Sequence, residues 1–240
     1  MKTIPLAQLA LSLLPALVVV AVLHRWSLES RQAVYGLFRM LLQLLLVGYV
    51  LRYLFEAEAA WIVVLVLCFM LTAASWIALR PLRRSRRALF PKVLASIAIG
   101  GVSTLILVTQ FVLDLDPRWD PSTLIPLGGM IFANAMNCVS LAAERYDSER
   151  NRGANYLQSR STALSAALIP LINSLFSVGI VSLPGMMTGQ ILSGVSPLIA
   201  ARYQIMVMCM VFGAGGISAI CYLWLEGRDG HDTRTTNGHE

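Results

Sequence analysis

The chain has 240 residues, of which 57% are hydrophobic and 13% charged, and its mean hydropathy is +0.68. A soluble domain of this size needs polar residues over its outside, so the composition excludes a soluble globular protein. The net charge of +6 does not indicate a nucleic-acid partner, because the basic residues lie in short loops between apolar runs. We predict an all-α fold, a polytopic transmembrane helix bundle in residues 1–226, followed by a short polar cytoplasmic tail at 227–240 that is predicted to be disordered.

A helix needs about 20 apolar residues to cross the hydrocarbon core, and about seven segments of this chain qualify. The first is long for the apolar part of a signal peptide and lacks a clean cleavage site, so we interpret it as an uncleaved span. The predicted spans are Ile4–Leu23, Tyr35–Leu54, Ala60–Leu79, Val93–Leu113, Thr123–Ala142, Ala163–Leu183 and Tyr203–Leu225.

The distribution of lysine and arginine predicts the orientation of the spans. Most of these residues follow the first, third, fifth and last spans, and the positive-inside rule places those loops in the cytoplasm. The N-terminus is therefore predicted to lie outside and the C-terminus inside. Arg83 and Arg84 in the third loop, and Arg150 and Arg152 in the fifth, are candidate contacts for a cytoplasmic partner. Fixing the topology and touching anionic lipid headgroups would explain the third-loop run R-P-L-R-R-S-R-R equally well.

A proline- and glycine-rich segment, 181–197, separates the last two predicted spans and reads V-S-L-P-G-M-M-T-G-Q-I-L-S-G-V-S-P. Such a break inside lipid is tolerated only where protein or a water-filled cavity covers it. One interpretation is a re-entrant stretch with a gate at Pro184, Gly185 and Gly189. A tight interfacial turn is the interpretation that residue types favour. The thioethers of Met186 and Met187 would suit a soft metal, although methionine more often fills space in packing.

Polar residues inside predicted spans are candidates for a substrate path. Arg39 and Gln43 share a face of the second span. One interpretation is that they contact the substrate or form a gate. Alternatively, Arg39 extends its guanidinium to the cytoplasmic headgroups.

Two further spans carry amides and a proline. Asn134 and Asn137 share a face of the fifth span, where amides either hold helices together or line a path. Pro170 predicts a kink in the sixth span, and Asn173 lies close enough to pair with the carbonyl that the proline frees. A run of small residues at 213–219 predicts a close helix contact, within the chain or at a dimer interface.

Several kinds of chemistry are absent from the sequence. No acidic residue lies in the middle of a span, the histidines are His24, His231 and His239, and there is no G-x-x-x-x-G-K-[ST] motif. These absences argue against a proton-coupled carrier, an intramembrane protease and an ATPase. We therefore predict a transport subunit without a cofactor or enzymatic activity of its own, and no metal ligands are assigned.

Runs of residues across nearly the whole chain carry a family resemblance. They are V-G-Y-V-L at 47–51, I-P at 125–126 with N-A-M at 134–136, A-A-L-I-P at 166–170, L-P-G-M-M-T-G at 183–189 and Y-Q-I-M-V at 203–207. The chain resembles the FetB-type permease family of ABC transporters, the iron-export permeases with plant aluminium-tolerance relatives. The resemblance implies an inner-membrane permease that works as two permeases with two separate ATPase subunits, which would hold the ATP and Mg²⁺.

One segment departs from that family. Residues 144–165 are shorter than the family's cytoplasmic helix and lack a Thr-Pro pair after Gly153-Ala154. Coupling to an ATPase would then use another surface, or be weak or absent. We expect an ABC-type exporter subunit for an iron-like metal ion or a metal-linked solute. The alternative is a non-transporting membrane scaffold or regulator that binds a partner through its basic cytoplasmic loops.

Overall fold

The computed structural model of the chain describes residues 5–55, 60–82, 85–117 and 119–235. The predicted all-α fold is confirmed, since helices make up almost all of these residues and only one isolated bridge, Val178 to Ser182, is present among them. The α-helices are α1 Leu6–Leu11, α2 Leu14–Arg25, α3 Ser30–Phe55, α4 Ala60–Ala78, α5 Arg86–Ile97, α6 Ser103–Leu107, α7 Pro121–Asn151, α8 Tyr156–Ser177, α9 Gly185–Leu192 and α10 Pro197–Thr235. Two π-helical segments, Ala98–Val102 and Val108–Val112, flank α6. The first joins α5 to α6 and the second follows α6, so that residues 86–112 form one continuous helical segment.

Among the described residues, 6 helices are long and apolar enough to cross a membrane, and they match six of the predicted spans. The remaining prediction, 163–183, corresponds to α8. That helix has 22 residues, begins seven residues earlier than predicted and ends at Ser177. Its first turns carry the polar residues Gln158, Ser159 and Arg160.

The chain divides into two compact units, 1–57 and 58–240. In the first unit α2 and α3 pack against each other, and none of the residues described in their apolar windows is buried. In the second unit α7 is the central helix and packs against α4, α8 and α10, while α10 also packs against α5 and the first π segment. Small buried residues line these contacts, including Ala135, Ala142, Ala163, Ala167 and Ala214.

The run of small residues in α10 divides between two surfaces. A Cβ at Gly215 would lie 2.9 Å from Sγ of Cys138 and 2.9 Å from Cδ1 of Leu171, whereas a Cβ at Gly213 meets nothing within 4 Å. The predicted close helix contact is therefore confirmed within the chain, where Gly215 brings α10 against α7 and α8.

Five helix ends of the second unit meet at one end of the bundle. The rings of Trp76 and Phe90 join the end of α4 to α5 at 5.9 Å, and those of Tyr146 and Tyr156 join α7 to α8 at 6.4 Å. The Tyr156 hydroxyl also donates to the Leu223 carbonyl of α10 at 3.1 Å. We call this the basic end, because it carries Arg86, Arg145, Arg150, Arg152 and Arg160.

The segment 181–197 forms a turn followed by α9, which packs against α10. None of the eight residues of α9, all of which the structure describes, is buried. Ile180 and Val181 in the preceding turn are 88% and 82% exposed. This arrangement agrees with the interpretation as a turn, and it does not place the segment inside the bundle of the second unit.

Candidate functional site

The two polar residues predicted for the second span lie on α3 in the first unit. Arg39 is half-buried and Gln43 is exposed. Arg39 lies nine residues into α3, which corresponds to about 13 Å of helix from Ser30. Their role in a substrate path stays a prediction.

The amides and the proline of α7 and α8 lie mostly at the surface of the second unit. Nδ2 of Asn134 donates to the Met130 carbonyl of its own helix at 2.8 Å. Asn137, Pro170 and Asn173 are exposed. The described residues therefore do not bring this predicted set together around a cavity within one protomer, and its part in transport stays a prediction.

The predicted gate residues surround the start of α9. Pro184 is its N-cap, Met187 is half-buried and Met186 is 37% exposed. A Cβ at Gly185 or at Gly189 would meet nothing within 4 Å. The glycines are therefore not required by packing inside this chain, which leaves room for a function or for contact with another molecule.

The predicted partner contacts fall partly inside the described residues. Arg83 and Arg84 lie outside them. Arg150 donates to the Ala154 carbonyl at 2.9 Å, and Arg152 lies 3.6 Å from the Glu149 carboxylate.

Arg150 lies in the last turn of α7, and Arg152 begins a tight turn, 152–155, between α7 and α8. Gly153 has φ +87°, which favours glycine, and the Asn155 side chain caps α8 by accepting from the Gln158 amide at 2.9 Å. The basic end thus presents a short turn with two exposed arginines.

A second set of polar residues, which the sequence analysis did not single out, lies between α5 and α10. Nζ of Lys92 lies 3.0 Å from Oε1 of Glu226, and the two side chains are 19% and 4% exposed. Two turns further into the bundle, Gly100 meets Ser218 so closely that a Cβ at position 100 would lie 2.3 Å from the Ser218 hydroxyl. Ser96 and Tyr222 lie midway between these two contacts and are fully buried. We call these six residues the polar seam.

The sequence contains a pattern that could have indicated the α10 side of the polar seam. Glu226 is the only acidic residue between Glu149 and Asp229. Ser218, Tyr222 and Glu226 recur at intervals of four, which places them on one helix face. Without the pairing partner on α5, however, Glu226 reads only as the charged end of an apolar span.

A cavity of about 400 Å³ lies between α6, the second π segment and α10. It is lined by Ser103, Thr104, Leu107, Val108, Val112, Met206, Cys209, Met210, Gly213 and Ile217. The Thr104 hydroxyl donates to the Gly100 carbonyl of the first π segment at 2.7 Å. Such π segments occur often at functional sites, because the extra residue per turn releases a backbone carbonyl. The described part of the chain holds no group of three or more His, Cys, Asp or Glu side chains that would bind a metal ion.

Comparison with known proteins places this architecture in a family. The sequence model of an uncharacterised protein family, UPF0014, matches residues 6–160 and 151–229. The chain belongs to the UPF0014 family. A UPF0014 membrane protein of Synechocystis is 37% identical over 76% of this chain and 76% of its own length. No solved structure matches the chain.

Two further UPF0014 relatives carry more specific names. The Escherichia coli protein named "Probable iron export permease protein FetB" is 32% identical over 90% of this chain and 89% of its own length. The Arabidopsis thaliana protein named "Protein ALUMINUM SENSITIVE 3" is 31% identical over 92% of this chain and 84% of its own length. The resemblance expected from the sequence is thus confirmed, and the chain is a multi-pass membrane protein related to a named permease.

The match to the UPF0014 family is interrupted at one place. The two matched stretches, 6–160 and 151–229, overlap at residues 151–160. The interruption falls on the turn between α7 and α8, within the segment 144–165 that the sequence analysis identifies as shortened.

Proposed function

We propose that this chain is the permease subunit of an ABC-type exporter, which moves an iron-like metal ion or a metal-linked solute across the inner membrane. The observation that carries the proposal is the similarity to the Escherichia coli protein named as a probable iron export permease, which extends over most of both chains. The sequence has no phosphate-binding loop motif, so uphill movement requires a separate ATPase subunit that binds ATP and Mg²⁺.

The basic end supports a cytoplasmic docking surface for that ATPase. Helix ends from five elements meet there, and arginine is concentrated in it. By the positive-inside rule this end faces the cytoplasm, which places the C-terminus inside and, with seven spans, the N-terminus outside. In this arrangement the short turn between α7 and α8 is exposed to a partner.

A homodimer completes the proposed transporter. The apolar residues around the turn before α9 are exposed in one protomer, including Phe176, Ile180 and Val181. A second permease or lipid would cover them. Transport would proceed by alternating access, in which ATP binding to the partner shifts the basic end and opens the path near Pro170 and Pro184–Gly189.

The test is reconstitution of the full chain in lipid vesicles, with and without the ATPase that co-purifies with it. We expect ATP-dependent movement of Fe²⁺ only when both subunits are present. Vigorous uphill movement by the chain alone would contradict the proposal. If a tagged chain captures no nucleotide-binding subunit, the scaffold or regulator alternative gains, and the interruption at 151–160 would then be its structural reason.

A further inference from the structure

We propose that the cavity between α6, the second π segment and α10 holds one acyl chain of an anionic phospholipid, and that Arg202 binds the phosphate of the same lipid molecule. This lipid site would lie on the membrane-facing side of the second unit. It requires neither a metal ion nor a nucleotide, so it goes beyond the proposed export function.

The cavity opens on a surface that lipid covers. The elements that form it belong to Arg86–Val112 and Pro197–Gly227, both long and apolar enough to span a membrane. Leu107 and Val112 at its rim are 55% and 54% exposed, whereas Val108 and Met210 are buried and form its floor. Its volume of about 400 Å³ falls within the roughly 300–1,000 Å³ that is common for ligand sites. A molecule in the bilayer can therefore enter the cavity from the side.

The lining of the cavity favours a hydrocarbon chain over water. Among its described residues only Ser103 and Thr104 carry a hydroxyl. Both hydroxyls already donate to carbonyls of the same helical segment, those of Ile99 and Gly100, so neither needs a hydrogen bond from a ligand. The other lining side chains are apolar or contain sulfur. Water in such a space would lose hydrogen bonds, whereas an acyl chain loses none and gains van der Waals contacts.

The length of the cavity matches the depth of one lipid leaflet. Its lining residues on α10 recur at intervals of three and four, so the cavity runs along the helix. From Met206 to Ile217 the helix rises about 17 Å. One leaflet contributes about 15 Å to a hydrocarbon core of about 30 Å. An acyl chain that enters beside Met206 would therefore reach Ile217 near the middle of the bilayer.

Arg202 lies where the headgroup of that lipid would be. It precedes Met206 by four residues, which places it one turn further out on the same face of α10. Glu226 at the basic end lies 24 residues further along the helix, a rise of about 36 Å. Because this rise exceeds the hydrocarbon core of about 30 Å, the two charged residues lie at opposite membrane surfaces.

The guanidinium of Arg202 is available to bind a phosphate. Its side chain is exposed and forms no hydrogen bond or salt bridge with any residue that the structure describes. Asp114 and Asp116 follow the second π segment at the same end of the bundle, and neither forms a salt bridge in the described part of the chain. Arginine binds phosphate through two parallel charge-assisted hydrogen bonds. The apolar cavity and the cation above it thus complement the two parts of one anionic phospholipid.

The first experiment titrates the purified full-length chain in neutral detergent with phosphatidylglycerol or with phosphatidylcholine of the same acyl chains, and measures retained lipid by native mass spectrometry. We expect tighter binding of phosphatidylglycerol. Arg202→Gln should weaken that binding about fivefold and remove the preference for phosphatidylglycerol. Arg87→Gln, which changes an exposed arginine at the other end of segment 86–112, is the matched control and should retain the preference.

Gly213→Leu tests the acyl-chain part of the site. Nothing lies within 4 Å of a Cβ at position 213, so a leucine there would fill the cavity without a clash. We expect binding of both lipids to weaken about tenfold or more, because the leucine displaces at least two CH₂ groups of the chain. Gly48→Leu, at an exposed glycine of α3 with equally open space, is the matched control and should leave lipid binding unchanged.

The second experiment locates the lipid by the rate at which N-ethylmaleimide alkylates two exposed thiols. Cys209 lines the cavity, whereas Cys68 lies on α4 outside it. Phosphatidylglycerol at ten times its Kd should slow alkylation of Cys209 about tenfold and leave that of Cys68 unchanged. Equal rates with and without lipid, or an equal slowing of both thiols, would overturn the inference. If Gly213→Leu instead converts a dimer into monomers while lipid does not protect Cys209, a second copy of the chain occupies the cavity and the inference is wrong.

Discussion

The ring of Tyr156 packs against Gly227 so tightly that a Cβ at position 227 would lie 2.3 Å from the Tyr156 hydroxyl oxygen. Tyr156 is the first residue of α8, directly after the turn at the basic end, and its hydroxyl donates to the Leu223 carbonyl at 3.1 Å. Gly227 follows Glu226 in α10. The start of α8 is therefore in direct contact with the part of α10 that holds the buried ion pair, and movement of the preceding turn would be transmitted to the polar seam through Tyr156.

Gly227→Ala should destabilise the protein. The added methyl group has to displace the Tyr156 ring, and overpacking of this kind costs about 1–3 kcal/mol. We expect a lower Tm in detergent, measured by thermal unfolding, and in the reconstituted exporter a weaker link between ATP hydrolysis and export. Gly213→Ala, in the same helix but with open space around its Cβ, is the control and should not lower the Tm. Equal Tm values for the two variants would show that the contact is loose.

The fold was predictable because hydrophobic runs determine it directly. A run such as 60–79 has to cross the membrane as a helix, since only a helix satisfies its backbone hydrogen bonds in lipid. The end of α8 was less predictable, because Leu183 continues the apolar run although Val178 already leaves the helix. The polar seam was not predictable from either helix alone. Lys92 and Glu226 are 134 residues apart, and only the antiparallel packing of α5 on α10 joins them.

Gly215→Ala should destabilise the bundle, because Sγ of Cys138 and Cδ1 of Leu171 each lie 2.9 Å from the added methyl group. These atoms belong to packed side chains of two different helices, so we expect a loss of about 1–3 kcal/mol. Gly216→Ala is the neighbouring control, since its nearest contact, with Leu168, is an ordinary 3.8 Å. Thermal unfolding of both variants checks the prediction, and a Tm for Gly215→Ala at or above that of Gly216→Ala would contradict it.

Asp120 should stabilise α7 above about pH 4 and lose this effect in acid. Its carboxylate accepts from the Ser122 amide at 3.3 Å and the Ser122 hydroxyl at 2.7 Å. Hydrogen bonds, of which that from the Thr123 side chain is the largest cause, lower the pKa of Asp120 from its ordinary 3.8. A lowered pKa means that the stabilisation is complete above the ordinary value and disappears as the pH falls through the folded value.

The measurement is the Tm difference between the unaltered chain and Asp120→Ala at pH 7 and pH 3. We expect the loss of an N-cap, about 1 kcal/mol, at pH 7 and a smaller difference at pH 3. Asp120→Asn retains a capping oxygen without a charge, so its Tm should approach that of the unaltered chain as the pH falls. A difference for Asp120→Ala that grows in acid would have the wrong sign.

Cys209 should report whether the cavity holds water. It lines the cavity and is exposed, whereas Cys138 is buried between α7 and α8. If water enters the cavity, a water-soluble charged thiol reagent should modify Cys209 in vesicles much faster than Cys138. Variants that retain only one of the two thiols, analysed by mass spectrometry, give the two rates. Modification of Cys209 only by an apolar reagent would show that lipid fills the cavity.

Gly189→Val tests the predicted gate with little effect on folding. Nothing lies within 4 Å of a Cβ at position 189, and valine has a slightly higher helix propensity than glycine, so the variant should insert and fold normally. We nevertheless expect loss of Fe²⁺ export. A branched side chain in the open space beside position 189 would obstruct either the movement of α9 during transport or its contact with a second protomer.

Thr188→Val is the matched control. It keeps the side-chain shape while it removes the hydrogen bond from the Thr188 hydroxyl to the Pro184 carbonyl, 3.1 Å. Unchanged export by Gly189→Val at normal protein levels would remove the segment at the start of α9 from the proposed transport path.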